Sequence, residues 1–286
     1  MRLGAFLPPW GRPATPEDFD QAAASIERLG YDSLWIGDHV VFPRDVASRY
    51  PYNPTGEFPF DREQPLYEPL TLLAYLAALT SRVGLGVSVL VLPMRNPVLV
   101  AKALADVDAL ARGRLRLAVG VGWLREEFAA LGSDFEARGE VTDEWVAILR
   151  HLWTQSAPTA FTGRRYRFAP VALLPRPSRP LPILVGGNSK AAMRRAVRLG
   201  DGWHGVRLSP EQVRERVAWL AERLGAEGRD GAHLEVVLRT RVTPSEAGRA
   251  LQLYASAGVD ELIVEVPDAG TEERLDVLAR IAEAAR

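Results

Sequence analysis

The chain of 286 residues contains no cysteine. Disulfides, a thiolate nucleophile and sulfur ligands for zinc are therefore excluded, and a reducing cytoplasmic location is the expectation. Lysine is almost missing: Lys102 and Lys190 stand against a large excess of arginine. Lys102 falls inside a predicted helix and Lys190 in the first turn after a glycine pair, so no lysine stands at a strand end to form a Schiff base. No stretch approaches the roughly 18 to 20 apolar residues of a membrane span, and the run MRLGAFLPPWGRP is too short for a signal peptide. The formal net charge is -1, with arginine interspersed among Asp and Glu. No basic stripe is available for nucleic acid or an anionic membrane, and neither partner is expected. The Gly-x-Ser-x-Gly elbow and the P-loop are missing. Strand residues Arg2 to Leu7 offer no metal-ligand side chain, so no metal is expected.

What is present is a rhythm. Short β-type runs alternate with helical patterns from end to end, which predicts a parallel sheet with crossover helices. The strand candidates are Arg2 to Leu7, Ser33 to Ile36, Val83 to Val91, Leu115 to Val119, Leu181 to Val185, Gly202 to Val206, Leu234 to Arg241 and Glu261 to Val266. Eight such units predict an α/β fold, a (β/α)8 TIM barrel, as one domain over residues 1–286. Helix starts are marked at Thr15-Pro16, Asn96-Pro97, Ser209 to Gln212 and Thr243 to Glu246, the last two reading as capping boxes. Insertions interrupt the rhythm after strands 2 and 4. Val40 to Pro65 carries Arg44, Arg49, Tyr50, Tyr52, Phe58, Phe60 and Arg62; Thr154 to Pro180 contains a hairpin pattern at Ala160 to Phe168, after a long helix Glu136 to Trp153.

The segment Leu181 to Trp203, LPILVGGNSKAAMRRAVRLGDGW, runs from a strand through two glycines into a helix. Gly186 and Gly187 admit a ligand close to the backbone. Asn188 or Ser189 caps the helix, whose free N–H groups and dipole favour an anion such as phosphate. A tight strand-to-helix turn is the plain structural alternative. In a barrel, reactive groups project from the C-terminal strand ends. Asp38-His39 directly follows Leu34-Trp35-Ile36-Gly37 and sets an imidazole beside a carboxylate there; a hydrogen-bonded loop pair is the alternative. Gly120-Val121-Gly122-Trp123 leaves room for a flat ligand on which Trp123 can stack. Asp201-Gly202-Trp203-His204 brings another aromatic and a second imidazole, which a core histidine would explain equally well.

These motifs together resemble the bacterial luciferase-like flavin and deazaflavin oxidoreductases, and within them the branch that uses coenzyme F420. The matching residues are Gly30 to His39, Tyr50-Pro51-Tyr52, Leu92 to Pro97 with Ala101-Lys102, Gly113-Arg114 through Trp123, Glu126-Glu127-Phe128, Val185 to Ser189 and Gly200 to Trp203. The resemblance implies that Asp38 and His39 touch the deazaflavin ring and assist proton transfer. It implies a bulged non-prolyl cis peptide at Ser88-Val89 backing the ring, and a cofactor-phosphate site at Gly186, Gly187 and Asn188. Gly122, Trp123, Ser189 and Trp203 complete the expected cofactor contacts, and Arg44, Arg49 and Arg62 are candidates for the acidic cofactor tail. Trp123 stands near where sugar-oxidising relatives place a catalytic glutamate, so sugar phosphate oxidation is not expected. Glu126 and Glu127 are read as catalytic or, equally, as helix-capping and surface residues.

The expected activity is hydride transfer between F420 and a small organic substrate, partly apolar by its rim aromatics Trp10, Trp123 and Trp203. The alternatives are an FMN-dependent monooxygenase and a non-catalytic flavin- or deazaflavin-binding protein. Relatives of this type pair through helices beside the third strand, so a homodimer is expected.

Overall fold

The computed structural model describes residues 1–11, 14–58, 64–229, 233–266 and 269–285. Its elements, in chain order, begin with β1 (Arg2–Leu7), α1 (Pro16–Leu29), β2 (Ser33–Ile36), α2 (Pro69–Leu79), β3 (Gly84–Val91), α3 (Pro97–Leu110) and β4 (Leu115–Gly120). There follow α4 (Arg125–Ala130), α5 (Arg138–Thr154) and the antiparallel pair β5 (Thr159–Thr162) and β6 (Arg167–Val171). The chain ends with β7 (Ile183–Gly186), α6 (Lys190–Leu199), β8 (Gly202–Val206), α7 (Pro210–Ala226), β9 (Glu235–Thr240), α8 (Ala247–Ser256), β10 (Glu261–Glu265) and α9 (Thr271–Ala284). Among the described residues, eight parallel strands close a barrel in the order β1-β10-β9-β8-β7-β4-β3-β2.

Local chemistry places the helices where the sequence predicts most of them. Thr15 and Ser209 each accept a hydrogen bond from the third helical residue's N–H and donate their own backbone N–H to that residue's side chain, forming capping boxes with proline in the first turn. Gly30 closes α1 at φ 85°, a left-handed conformation that suits glycine. The Thr243 to Glu246 box does not form. Thr243 donates to the Glu246 carboxylate in a turn, and α8 starts only at Ala247. The helix predicted from Glu136 starts at Arg138 and is preceded by the short α4, which has no strong periodicity of its own.

Alternation along the strands separates two apolar layers. Phe6, Trp35, Ala118, Leu184, Val237 and Ile263 fill the barrel interior, while alternate residues such as Ala5, Leu34, Leu117, Val185, Leu238 and Val264 pack outward against the helices. Trp35 is accommodated because residue 86 is glycine; a Cβ there would lie 2.4 Å from the indole. The N-terminal end of the barrel is sealed by polar bonds: Trp35 Nε1 donates to Glu261 Oε1 at 2.7 Å and Arg116 bridges to Glu261 Oε2 at 2.7 Å. With that end plugged, the barrel offers a ligand its C-terminal end.

Candidate active site

A cavity of about 960 Å³ opens at the C-terminal strand ends, and every barrel strand or the loop that follows it contributes to its wall. His39 is buried in this wall. Its Nδ1 lies 2.8 Å from Glu127 Oε2, and Glu127 Oε1 accepts the backbone N–H groups of Val40 at 2.7 Å and Val41 at 3.3 Å. The imidazole is caged by Trp10, Phe42, Phe58 and Trp123, with ring centroids 5.2 to 6.0 Å away. Nδ1 is thus committed to a carboxylate, and Nε2 is the nitrogen left for a ligand.

Asp38 does not serve as that carboxylate. Its oxygens receive Arg95 Nη1 at 2.7 Å and Nη2 at 2.8 Å in a bidentate pair, together with Val91 N at 2.6 Å. Arg95 also donates to Glu68 at 3.0 Å. Burial opposes the guanidinium charge, but Asp38 and Glu68 outweigh it and raise the Arg95 pKa. The expected Asp38-His39 pair is therefore two arrangements, with Asp38 fastening β2 to β3 and Glu127 facing the imidazole. Sequence reasoning left Glu127 open between a catalytic and a surface role; it is 2 % exposed. Its neighbour Glu126 caps no helix either, since its Oε1 accepts the Ala47 and Ser48 amides at 2.8 and 3.0 Å.

The peptide between Ser88 and Val89 is cis, and the β3–β4 register shifts between Val87 and Leu90. The bulge turns Val89 toward two glycines. A Cβ on Gly120 would lie 2.5 Å from one Val89 methyl, and a Cβ on Gly186 2.6 Å from the other. Gly186 thus makes room for Val89. Gly187 differs: it adopts φ 120°, as L side chains rarely do, and the Tyr52 hydroxyl lies near it.

Ser189 is the N-cap of α6, accepting Ala192 N at 3.2 Å. Asn188 is engaged elsewhere, donating to Val206 O at 2.7 Å and accepting from Val206 N at 3.0 Å, so it ties the glycine turn to β8. Gly186, Gly187, Asn188 and Ser189 line the cavity, as do Ser88, Val89, Gly122, Trp123 and Trp10. Trp203 does not. It is fully buried in the outer core and donates Nε1 to Gly187 O at 2.9 Å, because the alternation of β8 turns it away from the barrel axis. His204 points into the barrel against Trp35, without a hydrogen-bond partner for either nitrogen among the described residues. Burial, then the Arg239 charge, pushes its pKa down to about 3.

The other wall is basic, and the sequence reading missed it. Arg207, Arg239 and Arg241 converge on Glu265, with Arg239 Nε at 3.4 Å and Arg241 Nε at 3.9 Å from its oxygens and Arg207 donating Nη2 directly. Burial pushes the Glu265 carboxyl up, but Arg239, Arg207 and Arg241 outweigh it and hold its pKa below the usual range. The available signal was a charge interrupting an apolar strand: Arg239 in EVVLRT and Glu265 closing ELIVE. Of the loop arginines, Arg49 lines the cavity and the exposed Arg44 does not; Arg62 and Phe60 lie outside the described residues.

Residues 1–285 match the luciferase-like monooxygenase family. An uncharacterized protein of Mycobacterium tuberculosis is 36% identical over 214 residues, covering 75% of this chain and 73% of the relative. An F420-dependent glucose-6-phosphate dehydrogenase of Kineococcus radiotolerans is 31% identical over 233 residues, 78% of this chain and 63% of that protein. Two solved structures superpose with TM-score 0.79. One is an F420-dependent secondary alcohol dehydrogenase in complex with an F420-acetone adduct, at 19% identity over 100% of this chain and 99% of the other. The other is a monooxygenase from Streptomyces bottropensis, at 22% identity over 100% and 98%.

Proposed function

The chain belongs to the luciferase-like monooxygenase family, and on that premise we propose that it is an F420-dependent oxidoreductase that exchanges a hydride between the deazaflavin and a small organic substrate. The observation that carries this reading is the buried His39–Glu127 pair in its aromatic cage, at the mouth of a barrel whose third strand bears the Ser88-Val89 bulge.

The cavity fits such a cofactor. Its volume of about 960 Å³ stands at the upper end of the ~300–1,000 Å³ of small-molecule sites. Gly187, at φ 120°, leaves a cradle beside the N-terminus of α6, where backbone N–H groups and the helix dipole suit a phosphate. Ser88 and Val89 would back the ring, Gly122 and Trp123 would flank it, and Gly186 to Ser189 would hold the phosphate. When bound, F420 supplies a ring carbon that accepts or donates a hydride. His39 takes up or returns the accompanying proton at Nε2. Glu127 accepts from Nδ1–H and so holds one tautomer, while Asp38 keeps the end of β2 in place. Trp10, Phe58 and Trp123 exclude water from the imidazole.

FMN-dependent monooxygenation is the second reading, favoured by the family's description and by the Streptomyces bottropensis structure. Both cofactors carry a phosphate beyond a ribityl chain, so the α6 cradle serves either. Titration of the purified protein with F420 and with FMN, following ligand fluorescence, separates them. Micromolar binding of F420 is expected; micromolar FMN binding with none of F420 would overturn the reading. His39→Ala should keep cofactor affinity and lose turnover by about 10²- to 10⁴-fold, the usual share of general acid–base catalysis.

We also propose a cytoplasmic homodimer. No helix among the described residues is long and apolar enough to cross a membrane. The supporting surface is an apolar face on α2 and α3, where Leu99 is 68 % and Leu110 63 % exposed, with Tyr75 and Leu79 also exposed.

A further inference from the structure

The Tyr50-Pro51-Tyr52 motif lines the cavity, and the transfer of hydride and proton makes no use of it. The loop that carries it crosses the barrel mouth. After β2 it is fastened at Val40 and Val41 by Glu127 and at Ala47 and Ser48 by Glu126, both on α4. It then reaches the end of β8, opposite β2 in the closed barrel, where Arg207 Nη1 donates to Tyr52 O at 3.1 Å. Between these anchors Tyr50 is buried, its ring centroid 5.2 Å from that of Trp123 and 4.9 Å from that of Phe58. A closed turn follows, with Tyr50 N donating to Gly56 O at 2.7 Å. Tyr52 therefore stands on a braced support, its ring 5.5 Å from that of Tyr50.

The support delivers the Tyr52 hydroxyl to the glycine turn. A Cβ on Gly187 would lie 3.7 Å from that hydroxyl and 3.0 Å from the Ala192 Cβ. Gly187 thus keeps a gap open between the phenol and the first turn of α6. In that turn Ser189 already accepts Ala192 N on its hydroxyl and Met193 N on its carbonyl, which leaves the amides ahead of them for a ligand. The phenol is in the same condition: among the described residues its hydroxyl has no hydrogen-bond partner. Withdrawing a hydroxyl from water without a partner is costly, and a ligand oxygen restores the bond. Burial, reinforced by Tyr50, raises the Tyr52 pKa against the Arg239 charge, so the phenol keeps its proton and donates. We propose that Tyr52 is a cofactor-binding residue whose hydroxyl donates to the phosphate held at the start of α6, so that loop and helix grip the anion from two sides. This rests on the cofactor reading above and adds to it a contact from the far side of the cavity mouth. The bond it describes is charge-assisted.

The test compares Tyr52→Phe with the wild type in fluorescence titrations of two probes. One is F420; the other is the deazaflavin fragment that stops at the ribityl chain and has no phosphate. Tyr52→Phe removes one oxygen and keeps the ring, and binding of the fragment reports that the variant's cavity is intact. The variant is expected to bind F420 at least about tenfold more weakly, as befits a hydrogen bond to a charged group, with affinity for the fragment within twofold of wild type. Equal F420 affinity in the two proteins would overturn the proposal. Equal weakening of both probes would overturn it as well, since the phenol would then serve the ring or the ribityl chain. Failure of the cofactor reading is seen separately, in the wild type alone: if it binds FMN and not F420, the deazaflavin assignment falls, and FMN against riboflavin decides the role of Tyr52 by the same comparison. A wild-type protein that binds none of the four probes refutes both.

Discussion

At the scale of single residues, the informative side chains are buried polar groups whose partners come from distant segments. Glu127 lies 88 positions from His39, and its role depends on a helix after β4 folding back over the end of β2. Glu127→Gln removes the charge facing Nδ1 but keeps an oxygen for Val40 N. Turnover should fall by about 10²-fold or more while cofactor affinity holds, and undiminished kcat would reduce Glu127 to a loop anchor. His204 makes a separate prediction about acid. Its folded pKa is near 3, whereas an unfolded histidine titrates near ~6.5. Between those values the unfolded chain binds a proton that the folded chain refuses, so this group makes stability fall as pH drops, by ~1.4 kcal/mol per unit. Above about pH 6.5 it contributes no slope. His204→Gln should flatten the pH dependence of urea unfolding between pH 6 and 4; the wild-type slope in that variant would refute the assignment.

Elements behave according to how local their determinants are. The boxes at Thr15 and Ser209 form because a cap residue and its third helical neighbour are enough to satisfy the first free amides. Thr243 to Glu246 has the same spelling but forms a turn: the Thr243 hydroxyl donates to the Glu246 carboxylate instead of accepting an amide, and α8 starts at Ala247. The long loop after β2 has no repeating pattern to read, yet α4 holds it at two points. Glu126 takes the Ala47 and Ser48 amides, and Glu127 takes those of Val40 and Val41. Burial raises the Glu126 pKa, but the bonds to Ser48 and Ala47 outweigh it and lower it. Glu126→Ala should speed hydrogen exchange at Ala47 and Ser48 about tenfold, ~1.4 kcal/mol and near the low end for charge-assisted hydrogen bonds. Unchanged protection there would show that the loop is held by its aromatic packing alone.

For the whole molecule, a plug at one end and a cavity at the other orient the chemistry, and the outer face of α2 and α3 sets the assembly question. Leu99 and Leu110 add apolar area that an isolated barrel leaves in water. Leu99→Glu with Leu110→Glu should move the protein from dimer to monomer in sedimentation equilibrium with little effect on the monomer's fold. A wild-type protein that sediments as a monomer would reject this interface.

The sequence by itself determined the strand and helix succession, the closed α/β barrel, the position of the cis Ser88-Val89 bulge by resemblance, and His39 as a cavity residue. Strand alternation, caps and glycine turns are encoded within a few positions, which makes them legible one segment at a time. Tertiary structure decided which carboxylate meets His39, that Asp38 is spent on Arg95, that Trp203 lies behind the barrel wall, and that Arg207, Arg239, Arg241 and Glu265 share one side of the cavity. Those pairings join strand ends far apart in the chain, and whether a side chain faces the axis or the helices depends on register. Closing the barrel supplies both, and with them the charge and shape of the site.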